Sequence, residues 1–234
     1  MSKSTDSKPD RKKKFACTFD KKETNRVIKA THKNEGQQNA LRAIDENTVT
    51  ILNGIAGTGK TYLAVTYALQ MLMRDKFDKI IITRPVVEAG EHLGFLPGSF
   101  DEKIAPYLIP VMDILSDHLS STDIAEMLEE KKLIILPLAY MRGITFKKSI
   151  VILDEGQNCT QKQLHMFLTR IGEGSKVIVT GDPSQSDIGS ASGLRDAMQR
   201  LQGVTGLEVV ELDSQCVVRD PIVAEIDKRY EGRH

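Results

Sequence analysis

The chain has 234 residues, of which 27% are charged, and its 32 basic and 32 acidic side chains cancel to a formal net charge of zero. This length suits one α/β domain of ordinary size, and the balanced charge gives the whole chain no electrostatic footprint of a nucleic-acid-binding protein. Three widely spaced cysteines without a Cys-x-x-Cys pair argue against a disulfide framework or a zinc site, and no apolar run is long enough to cross a membrane, so we expect a cytoplasmic protein.

The N-terminal segment has the composition of a disordered tail. Residues 1–14 contain a single apolar residue, Met1, and end in the basic run Arg11-Lys12-Lys13-Lys14. Such a segment cannot bury enough apolar surface to fold. We therefore predict a disordered basic tail over 1–25 and one globular domain over 26–234. The tail is either a solubilising end or an arm that contacts nucleic-acid phosphates.

Six apolar runs after the tail predict buried strands, and helix-like segments separate them. The predicted strands occupy 48–53, 79–83, 133–137, 149–153, 175–180 and 207–212, and the predicted helices lie near 37–46, 59–74, 101–119, 122–131, 160–171, 190–202 and 220–230. Most of the strand runs are continuously apolar, which is typical of strands covered by helices on both faces. This alternation predicts an α/β fold with a doubly wound, mainly parallel sheet.

Residues 54–61 read GIAGTGKT, a full Gly-x-x-x-x-Gly-Lys-Thr phosphate loop between a predicted strand and a predicted helix. The backbone N–H groups of such a loop converge on phosphates, the Lys60 ammonium neutralises the outer ones, and the Thr61 hydroxyl ligates Mg²⁺. The pattern therefore predicts a nucleoside triphosphate site. Its predicted cofactor-binding residues are Gly54, Ile55, Ala56, Gly57, Thr58, Gly59, Lys60, Thr61 and the adjoining Tyr62.

Two acidic residues follow the predicted strand 149–153. Asp154 stands where a nucleotidase would hold Mg²⁺ at the carboxyl end of a strand, and Glu155 is placed to polarise the attacking water. An acidic turn that merely ends a strand would look the same. The phosphate loop in the same chain favours the catalytic interpretation.

A turn rich in Gly, Asp, Pro and Ser follows the predicted strand 175–180, and it contains Gln185. A glutamine amide can bond the γ-phosphate or the lytic water in one nucleotide state and lose that bond in the next. The segment is therefore either a γ-phosphate sensor or an ordinary strand-ending turn. The spacing alone leaves both interpretations open.

Several longer motifs extend this pattern along the chain. They are TRPVVEAGEHLGFLPG at 83–98, PYLIP at 106–110, PLAYMRG at 137–143, DEGQN at 154–158, GDPSQ at 181–185 and VVRDP at 217–221. With the phosphate loop, they resemble the PhoH family of phosphate-starvation-inducible ATPases from about residue 33 to the C-terminus. The resemblance implies a RecA-like P-loop fold related to superfamily 1 helicases, with ATP and Mg²⁺ as cofactors.

The resemblance also implies individual roles. It makes Gln185 a γ-phosphate sensor, Gln37 the adenine-reading glutamine that precedes the phosphate loop, and Arg219 an arginine finger. Superfamily 1 helicases carry that arginine in a second domain, which this chain is too short to contain. The resemblance therefore implies that Arg219 acts in trans in a homo-oligomer, as family members are described as hexameric. Asp220 is a departure from the family pattern that could instead pair with Arg219.

Two further arginines have roles that the resemblance leaves open, because Arg84 and Arg142 could face phosphate or nucleic acid or could form structural salt bridges. The helicase-like motifs imply remodelling of RNA or single-stranded DNA. Aromatic residues are only 5% of the chain, and the one dense basic cluster is the tail, so the residues themselves support this weakly. The alternative is a nucleotide-gated assembly protein with slow ATPase activity and no nucleic-acid substrate.

Overall fold

The computed structural model describes residues 28–86 and 109–218, together with Ile222, Ile226 and Arg229. Five helices have defined bounds: α1 Glu35–Glu46, α2 Lys60–Met73, α3 Ser121–Glu129, α4 Gln161–Leu168 and α5 Leu194–Arg200. The strands are β1 Val49–Gly54, β2 Lys79–Arg84, β3 Leu133–Pro137, β4 Ser149–Leu153, β5 Lys176–Gly181 and β6 Leu207–Leu212. Residues 109–116 are also helical. The predicted tail lies outside the described residues.

The six strands form one sheet in the order β3-β2-β4-β5-β1-β6, and every neighbouring pair is parallel. This confirms the predicted doubly wound parallel sheet. Because β5 lies between β1 and β4, the carboxyl ends of these three strands meet at one edge. That edge is where open parallel sheets bind ligands. It carries the phosphate loop, Asp154 and the turn that contains Gln185.

Both faces of the sheet are buried, which explains why the strand runs are continuously apolar. Ile152 and Ile178 point into a core formed with α1, α2 and helical residues 109–116. Val151 and Val177 point into a second core on the other face, formed with α4 and α5. Helix α2 is buried along most of its length and packs against the first face.

Two helices, α4 and α5, are at least four residues shorter than the sequence predicts, because of tertiary contacts. Helix α5 begins at Leu194 because Gly193 lies against α4, where an added Cβ would come within 2.4 Å of the Gln161 nitrogen. Helix α4 ends at Leu168, before Ile171 forms a parallel bridge with Phe146. Within the described ranges, no helix is both long enough and apolar enough to span a membrane.

Candidate functional site

The phosphate loop joins β1 to α2, and its backbone needs glycine at two positions. Gly57 and Gly59 have φ of 82° and 83°, in the left-handed region that side chains with a Cβ rarely adopt. The Thr58 hydroxyl donates to the Ile55 carbonyl at 2.9 Å and closes the loop on itself. Helix α2 then begins at Lys60, so its N-terminal N–H groups and positive dipole end face the loop.

Lys60 points back into this loop. Its ammonium donates to the carbonyl oxygens of Gly54, at 2.6 Å, and Ile55, at 2.9 Å. An ammonium ion bound to phosphate would exchange these carbonyl contacts for charged oxygens, which form stronger hydrogen bonds. The predicted phosphate-binding lysine is therefore already inside the loop that would hold the phosphates.

Asp154 lies at the carboxyl end of β4 and is only 2% exposed. One of its oxygens, Oδ1, accepts hydrogen bonds from the Thr61 hydroxyl at 2.7 Å and from the Thr180 hydroxyl at 2.6 Å. The structure thus brings together the hydroxyl and carboxylate predicted to share Mg²⁺. Thr180, which sequence reasoning missed, reaches Asp154 because β5 lies beside β4.

The chemistry of these oxygens suits Mg²⁺ rather than a softer metal. Mg²⁺ is bound in phosphate-transfer sites through one or two carboxylates, with water and substrate phosphate completing the coordination. Among the described residues, no group of three or more His, Cys, Asp and Glu side chains could hold a metal by itself. Thr61 and Asp154 fit a metal that arrives with its nucleotide.

Glu155 follows Asp154 with a left-handed backbone, φ 56° and ψ 43°, which is uncommon for a residue other than glycine. Its Oε1 accepts from Arg84 Nη2 at 2.8 Å, and its Oε2 accepts from the amide of Gln157. Arg84 Nε also lies 3.5 Å from Asp154 Oδ2. The predicted catalytic base is therefore held by an ion pair on one side and an amide on the other.

Gln157 connects the ends of β4 and β5. Its amide nitrogen donates to Glu155, and its Oε1 accepts from the backbone N–H of Asp182 at 3.1 Å. Sequence reasoning gave no role to Gln157. Its position two residues after Glu155 was the available signal, but the contact with Asp182 depends on the neighbouring strand.

The loop, both acidic residues and the predicted sensor meet at one cleft of about 280 Å³. Gln185 lies in the turn that follows β5 and lines the same cleft. The lining residues are Ala56, Gly57, Gly59, Lys60, Thr61, Tyr62, Asp154, Glu155, Thr180, Gly181, Asp182 and Gln185. The structure therefore gathers Lys60, Glu155 and Gln185 around a space into which a phosphoryl group fits.

Gln37 lies beside the phosphate loop but is 4% exposed. Its Nε2 donates to the Thr58 carbonyl at 3.0 Å, and its Oε1 accepts from the Lys33 N–H at 2.8 Å. The amide therefore braces the loop in this structure. Reading adenine would require it to exchange both bonds, so that role stays a prediction.

Arg219 lies outside the described residues, but the chain that leads to it is described. The N–H of Val218 donates to the carbonyl of Gly57 at 3.0 Å, and the Asn34 amide donates to the Cys216 carbonyl at 3.2 Å. The described chain thus reaches Val218 beside its own phosphate loop.

The two described cysteines are not candidates for thiol chemistry. Burial raises the pKa of the Cys159 thiol to about 12. Burial and a hydrogen bond with Asp213 also raise the pKa of the Cys216 thiol. Both side chains therefore remain protonated near neutral pH and serve in packing.

The family model described as PhoH-like protein matches residues 29–231. The chain belongs to the PhoH family. It is 49% identical over 204 residues to the PhoH-like protein of Bacillus subtilis. This alignment covers 86% of this chain and 64% of that protein. It is 43% identical over 194 residues to Protein PhoH of Escherichia coli K12. This second alignment covers 81% of this chain and 55% of that protein.

The chain therefore spans between 55% and 64% of the length of these two PhoH relatives. Among solved structures, the large terminase from the thermophilic bacteriophage D6E aligns with a TM-score of 0.54 and 12% identity, covering 83% of this chain and 49% of that one. At this identity the likeness shows the fold alone. Together with the phosphate loop, the family match and the fold support a nucleotide-binding protein.

Proposed function

We propose that this PhoH-family protein is a Mg²⁺-dependent ATPase that works as a homo-oligomer. The observation that carries the proposal is the 2.7 Å hydrogen bond between the Thr61 hydroxyl and the Asp154 carboxylate, inside a cleft that Lys60 and Glu155 also line. A hydroxyl and a carboxylate at this separation can enter the coordination shell of one metal ion. The phosphate loop supplies the matching site for the nucleotide.

Each side chain would have a distinct task during hydrolysis. Lys60 binds the outer phosphates, while Thr61 and Asp154 would hold Mg²⁺, which supplies charge stabilisation for the phosphoryl oxygens when it is bound. Glu155 orients the lytic water and accepts its proton. Gln185, which lines the same cleft, bonds the γ-phosphate or the water and loses that bond after hydrolysis.

Phosphate release from ATP by the wild type and by Glu155→Gln tests the catalytic assignment. Removing the general base should lower kcat by about 10²-fold or more, since a glutamine amide cannot accept the proton. Glu129→Gln is the matched control, because Glu129 is exposed on α3, and its kcat should equal that of the wild type. An inactive wild type would refute ATPase function, and a fully active Glu155→Gln would refute the role of Glu155.

We further propose that the oligomer, expected to be a hexameric ring, is completed by Arg219 acting in trans. Mixing Lys60→Ala subunits with Arg219→Ala subunits should then restore part of the activity, because some interfaces combine an intact loop with an intact arginine. The contact between Val218 and Gly57 favours a second arrangement, in which Arg219 serves its own subunit. That arrangement predicts no restoration on mixing.

The work driven by hydrolysis is proposed to be remodelling of RNA or single-stranded DNA. Support comes from the exposed side chains of Tyr140 and Arg142, which follow β3 at the same sheet edge as the cleft. Single-stranded RNA should stimulate phosphate release, and the stimulation should weaken as salt rises. Absence of stimulation at every salt concentration would favour the alternative, in which ATP controls assembly and slow hydrolysis resets it.

A further inference from the structure

The two oxygens of the Glu155 carboxylate are both engaged by side chains that stand outside the phosphate loop. Arg84 Nη2 forms an ion pair with Oε1 at 2.8 Å, and the Gln157 amide donates a hydrogen bond to Oε2. A general base needs an oxygen lone pair directed at the water that attacks the γ-phosphate. In this arrangement each oxygen accepts one hydrogen bond from the protein, so Arg84 and Gln157 set the direction in which the remaining lone pairs point.

The position of β2 in the sheet determines on which side of β4 Arg84 holds the Glu155 carboxylate. The order β2-β4-β5-β1 puts Arg84, at the end of β2, on the opposite side of β4 from β1 and its phosphate loop. The ion pair therefore attaches Oε1 of Glu155 to the end of β2, on the side of β4 that does not carry the phosphate loop. Glu155 makes this contact from a left-handed backbone, with φ of 56°.

We infer that Arg84 is a positioning residue that restrains Glu155, and that a phosphodiester group which takes the Arg84 guanidinium releases Glu155 for catalysis. The inference rests on the proposed ATPase function and names how nucleic acid would regulate it. A planar guanidinium binds phosphate through paired N–H groups as well as it binds carboxylate. Phosphate and Glu155 therefore compete for the same donors.

The surroundings of Arg84 fit a single-stranded nucleic acid. Arg84 lies opposite Pro137 in the register of β2 and β3, and the chain after Pro137 carries Tyr140 and Arg142. The side chain of Tyr140 is exposed, and so is that of Arg142. An exposed aromatic ring that can stack on bases, next to cationic groups that bind phosphates, is the usual composition of a single-strand site.

The ion pair with Glu155 is partly exposed, so a ligand can reach it, and the second contact of Arg84, with buried Asp154, is longer at 3.5 Å. The side chains of Arg84 and Glu155 are 20% and 35% exposed, so water screens their attraction. Freeing a pair of this kind changes an equilibrium by about fivefold. A phosphodiester with ordinary affinity for a cationic surface can therefore displace Glu155.

Steady-state phosphate release by the wild type and by Arg84→Gln, with and without polyuridylate RNA, tests the inference. Without RNA, Arg84→Gln should raise kcat by about fivefold because the base is freed, while a change in KM for ATP would report the lost contact of Arg84 with Asp154. RNA should stimulate the wild type and have no effect on Arg84→Gln. The double variant Arg84→Gln/Glu155→Gln should be inactive, because the gain acts through Glu155.

Two controls keep the result interpretable. Arg200→Gln breaks a surface ion pair with Asp196 on α5, far from the cleft, and should leave kcat and RNA stimulation unchanged. Arg84→Lys retains the positive charge near Asp154 but cannot span both carboxylates in the same way, so it should give a smaller rise in kcat. It replaces Arg84→Gln if that variant does not fold.

The remaining outcomes would overturn the inference. A lower or unchanged kcat for both Arg84 variants, with an active wild type, would show that Arg84 does not restrain Glu155 and would leave the proposed ATPase intact. A raised kcat without RNA stimulation of the wild type would overturn the assignment of release to nucleic acid. Absence of turnover in the wild type and in both Arg84 variants would instead refute the proposed ATPase, and the inference with it.

Discussion

At the scale of single residues, the site is a chain of oxygen and nitrogen contacts that crosses three strands. Asp154 is the centre of this chain, because two hydroxyls donate to the same carboxylate oxygen. The sequence predicts Lys60, Thr61, Asp154 and Glu155 because each occupies a fixed place in a motif. It cannot predict Thr180 or Gln157, whose contacts arise only when β4 and β5 lie side by side.

Thr180→Val should lower the stability of the folded protein by removing the hydrogen bond from Thr180 to Asp154. The change removes one of the two hydroxyl donors to a buried carboxylate while preserving the shape of the side chain, so the unfolding free energy should fall by about 1–2 kcal/mol. Chemical denaturation measures it. Thr169→Val is the matched control, since its exposed hydroxyl bonds only carbonyls in its own helix and its loss should cost less. Equal losses would contradict the importance of the Thr180 bond.

Cys159 should resist alkylation in the folded protein. Its pKa of about 12, against an ordinary 9.0, reduces the thiolate fraction at pH 8 by about 10³-fold, and the thiolate is the reactive form. Site-resolved mass spectrometry after iodoacetamide treatment at pH 8 measures the rate. The same protein in denaturant provides the control, in which Cys159 should react like any exposed thiol. Rapid alkylation of the native protein would contradict the burial of Cys159.

At the scale of elements, strands and helix ends were not equally predictable. All six strands lie within one residue of their predicted bounds, because burial on both faces leaves a continuous apolar run that sequence reading detects. The ends of α4 and α5 depend on the bridge from Ile171 to Phe146 and on the close approach of Gly193 to Gln161. These contacts join residues far apart in the chain, so local pattern does not reveal them.

Lys176, on β5, forms hydrogen bonds with carbonyl groups at the C-terminal end of α1, and a substitution there tests how much this contact stabilises the fold. Its ammonium donates to the carbonyls of Ile44, Asp45 and Asn47. Lys176→Met should lower the unfolding free energy by about 1–2 kcal/mol, because those carbonyls lose a charged donor. Lys162→Met, on the exposed face of α4, should change it little.

The effect of Lys176 should also depend on pH. Burial lowers the pKa of Lys176 below its ordinary 10.5, so between the two pKa values the unfolded chain binds more protons than the folded one. The contribution of Lys176 to stability therefore increases as pH rises towards 10.5. Urea denaturation of the wild type and Lys176→Met at pH 8 and pH 10 measures the difference. A gap that narrows at pH 10 would contradict the assigned direction.

At the scale of the whole molecule, the exposed apolar residues bear on assembly. Ile222 and Ile226 both have helical backbone and are 61% and 48% exposed, and side chains four positions apart on a helix are neighbours. They follow the segment through which Val218 contacts the phosphate loop. A subunit interface that includes Ile222 and Ile226 would place the nucleotide site of one subunit close to the neighbouring subunit.

Ile222→Asp/Ile226→Asp should therefore dissociate the proposed oligomer. Placing two carboxylates in an apolar interface leaves them without partners on association, which favours free subunits. Light scattering coupled to size-exclusion chromatography gives the mass. Val204→Asp is the control, because Val204 is 47% exposed in the turn before β6. An unchanged oligomer in the double variant would show that Ile222 and Ile226 do not lie in the interface.

The central claim is that one cleft binds ATP through Lys60, Thr61 and Asp154 and hydrolyses it through Glu155. The most direct measurement is the identity of the nucleotide that the protein retains after incubation with radiolabelled ATP and Mg²⁺, followed by rapid gel filtration. Glu155→Gln should retain ATP, because the binding groups are intact and the base is missing, whereas the wild type should retain ADP. A Glu155→Gln protein that retains no nucleotide, or that forms ADP as fast as the wild type, would contradict the account.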